Sequence, residues 1–295
     1  MKEQEFINTI KEIIGDEFLG DDCAYLKEFG IVITQDSLVE NVHFRIDWYT
    51  PYQLGYKSVA VNISDILASG AIPKYLTIAL SLPKDTDKNF IREFYRGASS
   101  ALCGAKIVGG DITGSKSRIV ISVTAIGSDK GRKISTRSGA RMGYKVVVKG
   151  EHGGSAAGLA ELLSGGNNKE LIKVHLEPEL EVEFSKFVAE NINDDYAMMD
   201  TSDGLADALF KIAESSGVKI VADYDKIPHR NNINEKQVLF GGEDYKLVAV
   251  LPRDIAQKSG GTVIGDVVEF DGIRLDISGR KFLKYDDLTA YNHFE

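Results

Sequence analysis

The chain lacks the marks of a disulfide scaffold, a zinc module, a membrane protein or a nucleic-acid binder. Its 295 residues hold two cysteines, Cys23 and Cys103, far apart and with no C-x-x-C. Neither a disulfide framework nor a zinc site is indicated, and a reducing cytoplasm is the expected compartment. No run approaches the ~20 apolar residues of a membrane helix. The opening "MKEQEFINTI" mixes charges into its apolar residues and so lacks the core of a signal peptide. Positive charge is also short: 35 Lys and Arg face 44 Asp and Glu, a net charge of -9. That argues against nucleic acid, which needs a basic stripe. Phosphorylated ligands stay open, because metal ions can supply positive charge locally.

What is present is an ordinary globular composition, 43% hydrophobic and 27% charged, able to bury a core. At ~150 residues per domain, the length fits two domains or one large one. Residues 4–14 place Phe6, Ile7, Ile10, Ile13 and Ile14 at helical spacing. "GIVIT" (30–34) reads as a buried strand. Thr50-Pro51 has N-cap and N1 chemistry and opens a helix to about residue 69, read as amphipathic at 61–70. "YLTIALSLP" (75–83) reads as a strand stopped by Pro83. Asp87 caps a helix through Phe90, Ile91 and Phe94 that ends near Gly104, and "RIVISVTAIG" (118–127) reads as a half-buried strand. The first half therefore runs α, β, α, β, α, β, β. Turn-rich "GSDKGRK" and "TRSGARMG" flank a domain boundary near residue 136, which separates 1–136 from 137–295. Beyond it, strands are expected at 144–150, 219–224 and 245–251, and helices at 155–163, 178–191 and 203–216.

Acidic residues recur beside small residues at element ends: "GDD" (20–22), "TQD" (34–36), "NISD" (62–65), "GGD" (109–111), "DTSDG" (200–204) and "GGED" (241–244). Any one alone is usually a turn or cap. As a set they are harder to dismiss, because Asp36, Asp111 and Asp200 each follow a run read as a buried strand, and strand ends tend to share a rim. Two carboxylates 4 Å apart repel by about 4 kcal/mol at an effective dielectric of ~20, so a converging set takes up protons or binds cations. Oxygen donors without His or Cys suit Mg²⁺, whose shell is commonly completed by substrate phosphates. There is no GxxxxGK[ST]; "GGDITGSK" is the nearest miss and leads into a strand rather than a helix. No GxGxxG follows a strand, and the protein-kinase signatures are absent. Asp65 within an apolar helix reads either as a solvated face or as a ligand, with Asn62 one turn earlier placed to orient it.

The ordered set "GDDCA", "TQDSLVENVHF", "GYKSVAVNISDILASGA", "VGGDIT", "TRSGAR", "DTSDGLADAL" and "GGEDYKL", with a closing "YNHF", resembles the thiamine-monophosphate kinase family of the aminoimidazole ribonucleotide synthetase-like superfamily. The resemblance covers nearly the whole chain. It implies an α/β fold (α+β type) of two domains: an N-terminal mixed sheet with helices that dimerises, and a C-terminal α/β domain closing over the nucleotide. It implies Mg²⁺-dependent transfer of the ATP γ-phosphoryl group to thiamine monophosphate, giving thiamine diphosphate in a cytoplasmic homodimer. By position it makes Asp22, Thr34, Gln35 (through its backbone), Asp36, Asp65, Asp111, Asp200 and Asp203 metal ligands, with Asp36, Asp65 and Asp203 central to catalysis. Gly110, Asp111, Arg137 and Ser202 fall to ATP, and His43, Glu243 and Tyr291 to the thiamine side.

Several residues carry a plainer reading. His43 also fits a surface or core histidine, and Arg137 a surface ion pair. Tyr95 is a candidate adenine platform, although its spacing with Ile91 and Phe94 favours core. Lys57 in "GYK" fits a phosphate contact or a solvated side chain equally. Tyr291 sits near a terminus, where fraying is common. The sequence departs from the family at Gln35-Asp36-Ser37 (commonly Thr-Asp-Thr), at Asn41 (commonly Gly) and at Thr201 (commonly Ile). The rival readings are another ATP-dependent enzyme of the superfamily, such as aminoimidazole ribonucleotide synthetase or a selenophosphate synthetase, and an inactive nucleotide-binding regulator. Cys23 follows "GDD" rather than lying in a flexible N-terminal segment, which disfavours the selenophosphate reading.

Overall fold

The computed structural model describes residues 2–288. Its first part holds α1 (Lys2–Ile14), β1 (Ala24–Leu26), β2 (Ile31–Val39), α2 (Pro51–Ala68), β3 (Ile72–Pro83), α3 (Lys88–Ser100), β4 (Lys106–Ser115) and β5 (Val120–Ser128). These strands form a sheet of order β1-β2-β5-β3-β4, antiparallel except for β3 beside β4. The second part holds β6 (Lys145–Val148), α4 (Gly154–Ser164), α5 (Lys169–Leu176), α6 (Val182–Asn191), β7 (Ala197–Asp200), α7 (Leu205–Ser215), β8 (Lys219–Ala222), α8 (Glu235–Phe240), β9 (Leu247–Leu251), α9 (Arg253–Lys258), β10 (Thr262–Val268), β11 (Leu275–Ile277) and β12 (Arg280–Phe282). Its strands form a sheet of order β12-β11-β8-β10-β6-β9-β7.

Helix starts follow local chemistry. Thr50 caps α2 through the Gln53 N–H, the Gln53 side chain bonds back to the Thr50 N–H, and Pro51 fills the first helical position. Asp87 caps α3 through the Phe90 N–H. α2 differs from its expected amphipathic character: Leu54 through Ala68 is almost wholly buried. Helix α3 covers one flank at very close range. A Cβ on Gly55 would stand 1.9 Å from the Phe94 carbonyl oxygen, and one on Gly97 would stand 1.8 Å from that of Tyr52. The two glycines let the backbones touch, so α2 is a central helix that must satisfy its polar groups internally.

Three other expectations need correction. β1, a three-residue strand, was not anticipated and adds an element to the first half. "KIVGG" does not run into a buried strand: β4 is an exposed edge, with Val108 59% and Ile112 61% accessible. Its three interior glycines supply no side chains to pack. α1 forms at the expected place, but Ile13 and Ile14 remain exposed. The main apolar cluster runs from α2 and the first sheet into Val147, Phe184, Leu247 and Leu251, so one core joins both sheets.

Candidate active site

β2 has a period of two, so Thr34 and Asp36 share one face and Gln35 takes the other. The Gln35 side chain accepts a hydrogen bond from Thr124 Oγ1 on β5 at 3.0 Å, which leaves only its backbone toward the carboxylate side. β1 pairs only with Ile31–Ile33, so the outward N–H of Asp36 lacks a strand partner. It donates to Asn62 Oδ1 at 3.1 Å instead. Asn62 thus fastens β2 to α2 rather than orienting Asp65. Thr34 Oγ1 donates to Asp65 Oδ2 at 2.6 Å, and Ser64 Oγ donates to Asp200 Oδ2 at 2.6 Å. Adjacent residues of one buried helix thereby hold a carboxylate of each half of the chain.

Asp22 approaches the same region. The pull on its neighbours is legible in their acidities. Asp36 is pushed up to about 6, by burial first and then by Asp203 and Asp22. Asp200 is pushed up to about 7 by burial and Asp22. Asp65 is driven well above the usual carboxylate range by burial, with Asp36, Asp200 and Asp22 adding to it. Five sequence-predicted carboxylates, Asp22, Asp36, Asp65, Asp200 and Asp203, therefore act on one another. Asp22 Oδ1 accepts from Arg137 Nη2 at 2.6 Å, while Asp22 Oδ2 and Arg137 Nε are buried without a partner. Arg137 is also held by its backbone N–H, which donates to Asp21 Oδ1 at 2.7 Å. Asp203 lies at the rim, 42% exposed, with Lys211 Nζ 3.2 Å away. Among the described residues no three His, Cys, Asp or Glu side chains are grouped so as to hold a metal ion.

Two loops close this edge. Thr201 Oγ1 donates to the Lys246 carbonyl and accepts from the Lys246 N–H, at 3.2 and 3.1 Å. Where the family commonly has Ile, this hydroxyl stitches "DTSDG" to "GGEDYK". The Glu243 N–H donates to the Ser202 carbonyl at 2.7 Å. Asn41 adopts φ +63, the left-handed turn that Gly commonly supplies in the family and that Asn tolerates.

A row of buried rings runs from Phe44, the residue after His43, to Glu243. His43 Nδ1 accepts from the Val39 N–H at 2.9 Å. The next residue, Phe44, meets Tyr49 edge-on at 6.2 Å, and Tyr49 meets His175 at 6.2 Å. His175 Nδ1 is 3.5 Å from Glu243 Oε2.

Other expected site residues are not drawn in. Gly110 and Asp111 lie on the exposed edge β4, paired with β3 through Ile78 and Ala79, and the Asp111 side chain makes no hydrogen bond or ion pair among the described residues. Tyr95 packs its ring edge-on against Phe94 at 5.6 Å. Tyr291 lies outside the described residues. Lys57 is neither solvated nor free for a phosphate: it is 1% exposed and is held by Tyr49, His175 and Glu243. Residues missed by sequence reasoning include Asp207, Lys211 and Tyr245. Asp203, Asp207 and Lys211 stand four apart, a spacing that marks one helix face. Tyr245 had no comparable signal; it is buried, and burial, with Glu243, Asp36, Asp200 and Asp65 adding to it, pushes its pKa up.

A two-sheet fold with a shared acidic cleft is the frame of an ATP-dependent phosphotransferase, and comparison with known proteins narrows it. Residues 20–128 match the family described as AIR synthase related protein, N-terminal domain. The thiamine-monophosphate kinase of Aquifex aeolicus (strain VF5) is 35% identical over 290 residues, covering 92% of each chain. That of Bacillus subtilis (strain 168) is 32% identical over 314 residues, covering 97% of this chain and 96% of the other. The solved structure of AaThiL complexed with AMPPCP and TMP superimposes with a TM-score of 0.88 at 34% identity, covering 100% of this chain and 98% of that one. The chain belongs to the thiamine-monophosphate kinase family.

Proposed function

We propose that the protein transfers the γ-phosphoryl group of ATP directly to the phosphate of thiamine monophosphate, releasing ADP and thiamine diphosphate. The observation that carries this reading is the convergence of Asp22, Asp36, Asp65, Asp200 and Asp203 from both halves of a chain in this family. The attacking phosphate oxygen is already anionic, so no strong general base is needed. The obstacle is repulsion between two phosphate-bearing anions. The donor chemistry fits Mg²⁺: hard oxygens, carboxylates that burial and one another hold toward protonation, and a buried Asp22 Oδ2 without a partner. Asp22, Asp36, Asp65, Asp200 and Asp203 would hold the ions, with Thr34 and the Gln35 backbone beside them. Bound there, Mg²⁺ supplies charge neutralisation on the transferring group. Arg137 carries the guanidinium that can fork onto ATP phosphates. His43 and Glu243, beside the ring row, face the acceptor.

The reading extends to organisation. A division near residue 136 into a metal- and ATP-binding domain and a C-terminal domain is supported by the gap between β5 and β6, where one sheet ends and the next begins. A homodimer through the first sheet is supported by the exposed β4 edge with Val108 and Ile112 uncovered. No helix among the described residues is long and apolar enough to cross a membrane, and a cytoplasmic location follows from the reaction's soluble substrates. The deciding experiment is a coupled assay of ADP release with and without thiamine monophosphate in Mg²⁺. Release that depends on thiamine monophosphate supports the proposal. Release without it, or no release, points to another member of the superfamily or to an inactive nucleotide binder. A monomer by light scattering at micromolar concentration removes the dimer.

A further inference from the structure

Lys57 is a cation buried with unusual completeness for a residue so close to a substrate cleft. Its Nζ donates to Tyr49 Oη and to the His175 carbonyl, each at 2.9 Å, and stands 3.4 Å from Glu243 Oε1. These partners come from different parts of the chain: the loop before α2, helix α5, and the turn before β9. Burying an ammonium is costly unless its partners are complete. A surface ion pair would tie the same elements together without that cost. The Glu243 end explains the arrangement better. Glu243 holds a left-handed backbone at φ +64, rare for a side-chain-bearing residue, and its side chain is 27% exposed. Oε1 is taken by Lys57, so the exposed part of the carboxylate is fixed in one orientation at the end of the Phe44–Tyr49–His175 ring row.

We infer that Lys57 is a positioning residue for the acceptor substrate: it holds the Glu243 carboxylate in one orientation beside His175. The inference rests on the reading above that Glu243 faces thiamine monophosphate. Lys57 has no contact with Arg137 or with the Asp22 side of the cleft, so its effect falls on one substrate only. Loss of its charge leaves the Glu243 carboxylate half-buried without a counter-charge, and its position relaxes.

The test is a double-mutant cycle in the full chain with Lys57→Gln, Glu243→Gln and the double variant. Both substrates are varied, and thermal melts are run alongside. Lys57→Gln should raise the KM for thiamine monophosphate by about tenfold and leave the ATP KM within about twofold. The double variant should be no worse than Glu243→Gln alone, because Lys57 acts through Glu243. A purely structural tie would lower the melting temperature and shift both KM values alike, or add to the Glu243 effect, and either result overturns the inference. So does an unchanged thiamine monophosphate KM in Lys57→Gln when Glu243→Gln raises it. If Glu243→Gln leaves that KM unchanged, the placement of Glu243 itself fails, and the inference falls with it. Should Lys57→Gln not fold, Tyr49→Phe removes one acceptor and keeps every charge. It should raise the same KM severalfold, and no change would again overturn the inference.

Discussion

The motif Ser-Asp-x-Leu-Ala occurs twice, as Ser64–Ala68 and Ser202–Ala206, and the two copies behave differently. The first lies inside α2 and the second runs into the start of α7. Both serines turn to the same carboxylate: Ser64 Oγ donates to Asp200 Oδ2 at 2.6 Å, and the Ser202 N–H donates to Asp200 Oδ1 at 3.4 Å. The aspartates part company. Asp65 is partly buried, with the Thr34 hydroxyl donating to it and no Lys or Arg in ion-pair contact among the described residues. Asp203 stands at the solvent-exposed rim with Lys211 as its counter-ion. The same short motif therefore yields one carboxylate held by a hydroxyl and one held by an ammonium. The difference teaches that burial, not motif, sets the surroundings of each carboxylate.

Asp65→Asn is the severest way to test that contrast. It keeps the side-chain size and one acceptor oxygen but removes the charge. Turnover should fall by about a hundredfold or more, roughly 3 kcal/mol of transition-state stabilisation. The melting temperature should hold or rise, because a buried carboxylate no longer has to be desolvated. Near-normal turnover in Mg²⁺ would remove Asp65 from the site.

Asp203→Asn should cost less, about tenfold, with part of the loss recovered at higher Mg²⁺. If steady-state rates show it to be as damaging as Asp65→Asn, burial is not what ranks the ligands.

Arg137→Ala comes next. It should raise the ATP KM by about fivefold and change the thiamine monophosphate KM less, since the guanidinium lies on the Asp22 side of the cleft. Equal shifts in both would move Arg137 out of the nucleotide site.

The smallest effect extends the burial rule to a base. His152 is wholly buried, and both its ring nitrogens lack a partner. Burial first, then Lys246, pulls its pKa down to about 3. A base whose folded pKa is depressed stays neutral in the fold while the unfolded chain takes up a proton below about pH 6.5, so stability falls as pH drops. By pH 5.5 the wild type should lose about 1 kcal/mol more than His152→Leu, relative to pH 7, in urea unfolding. Parallel pH dependences for the two proteins would place the ring in contact with water.

Much was legible before the fold was known, and the reason lies in distance along the chain. Thr50 with Gln53, and Asp87 with Phe90, are contacts three residues apart, so the starts of α2 and α3 could be read directly. The order of the acidic motifs was enough to place the chain in its family. The sequence by itself also determined which groups were available for chemistry: oxygen donors, no thiol pair and a surplus of negative charge. What only the tertiary structure decided was which of these groups lost water. Thr34 meets Asp65 from 31 residues away, Ser64 meets Asp200 from 136, and Lys57 meets the His175 carbonyl from 118. Lys57 fitted a phosphate contact or a solvated side chain equally, and Asp65 a ligand or a solvated face, until α3 and both sheets enclosed α2. β4 looked buried until its glycines left it at an edge. Hydrogen bonds within one turn are set by backbone geometry alone, whereas desolvation depends on every element that packs against a residue, and no short window of sequence contains them all.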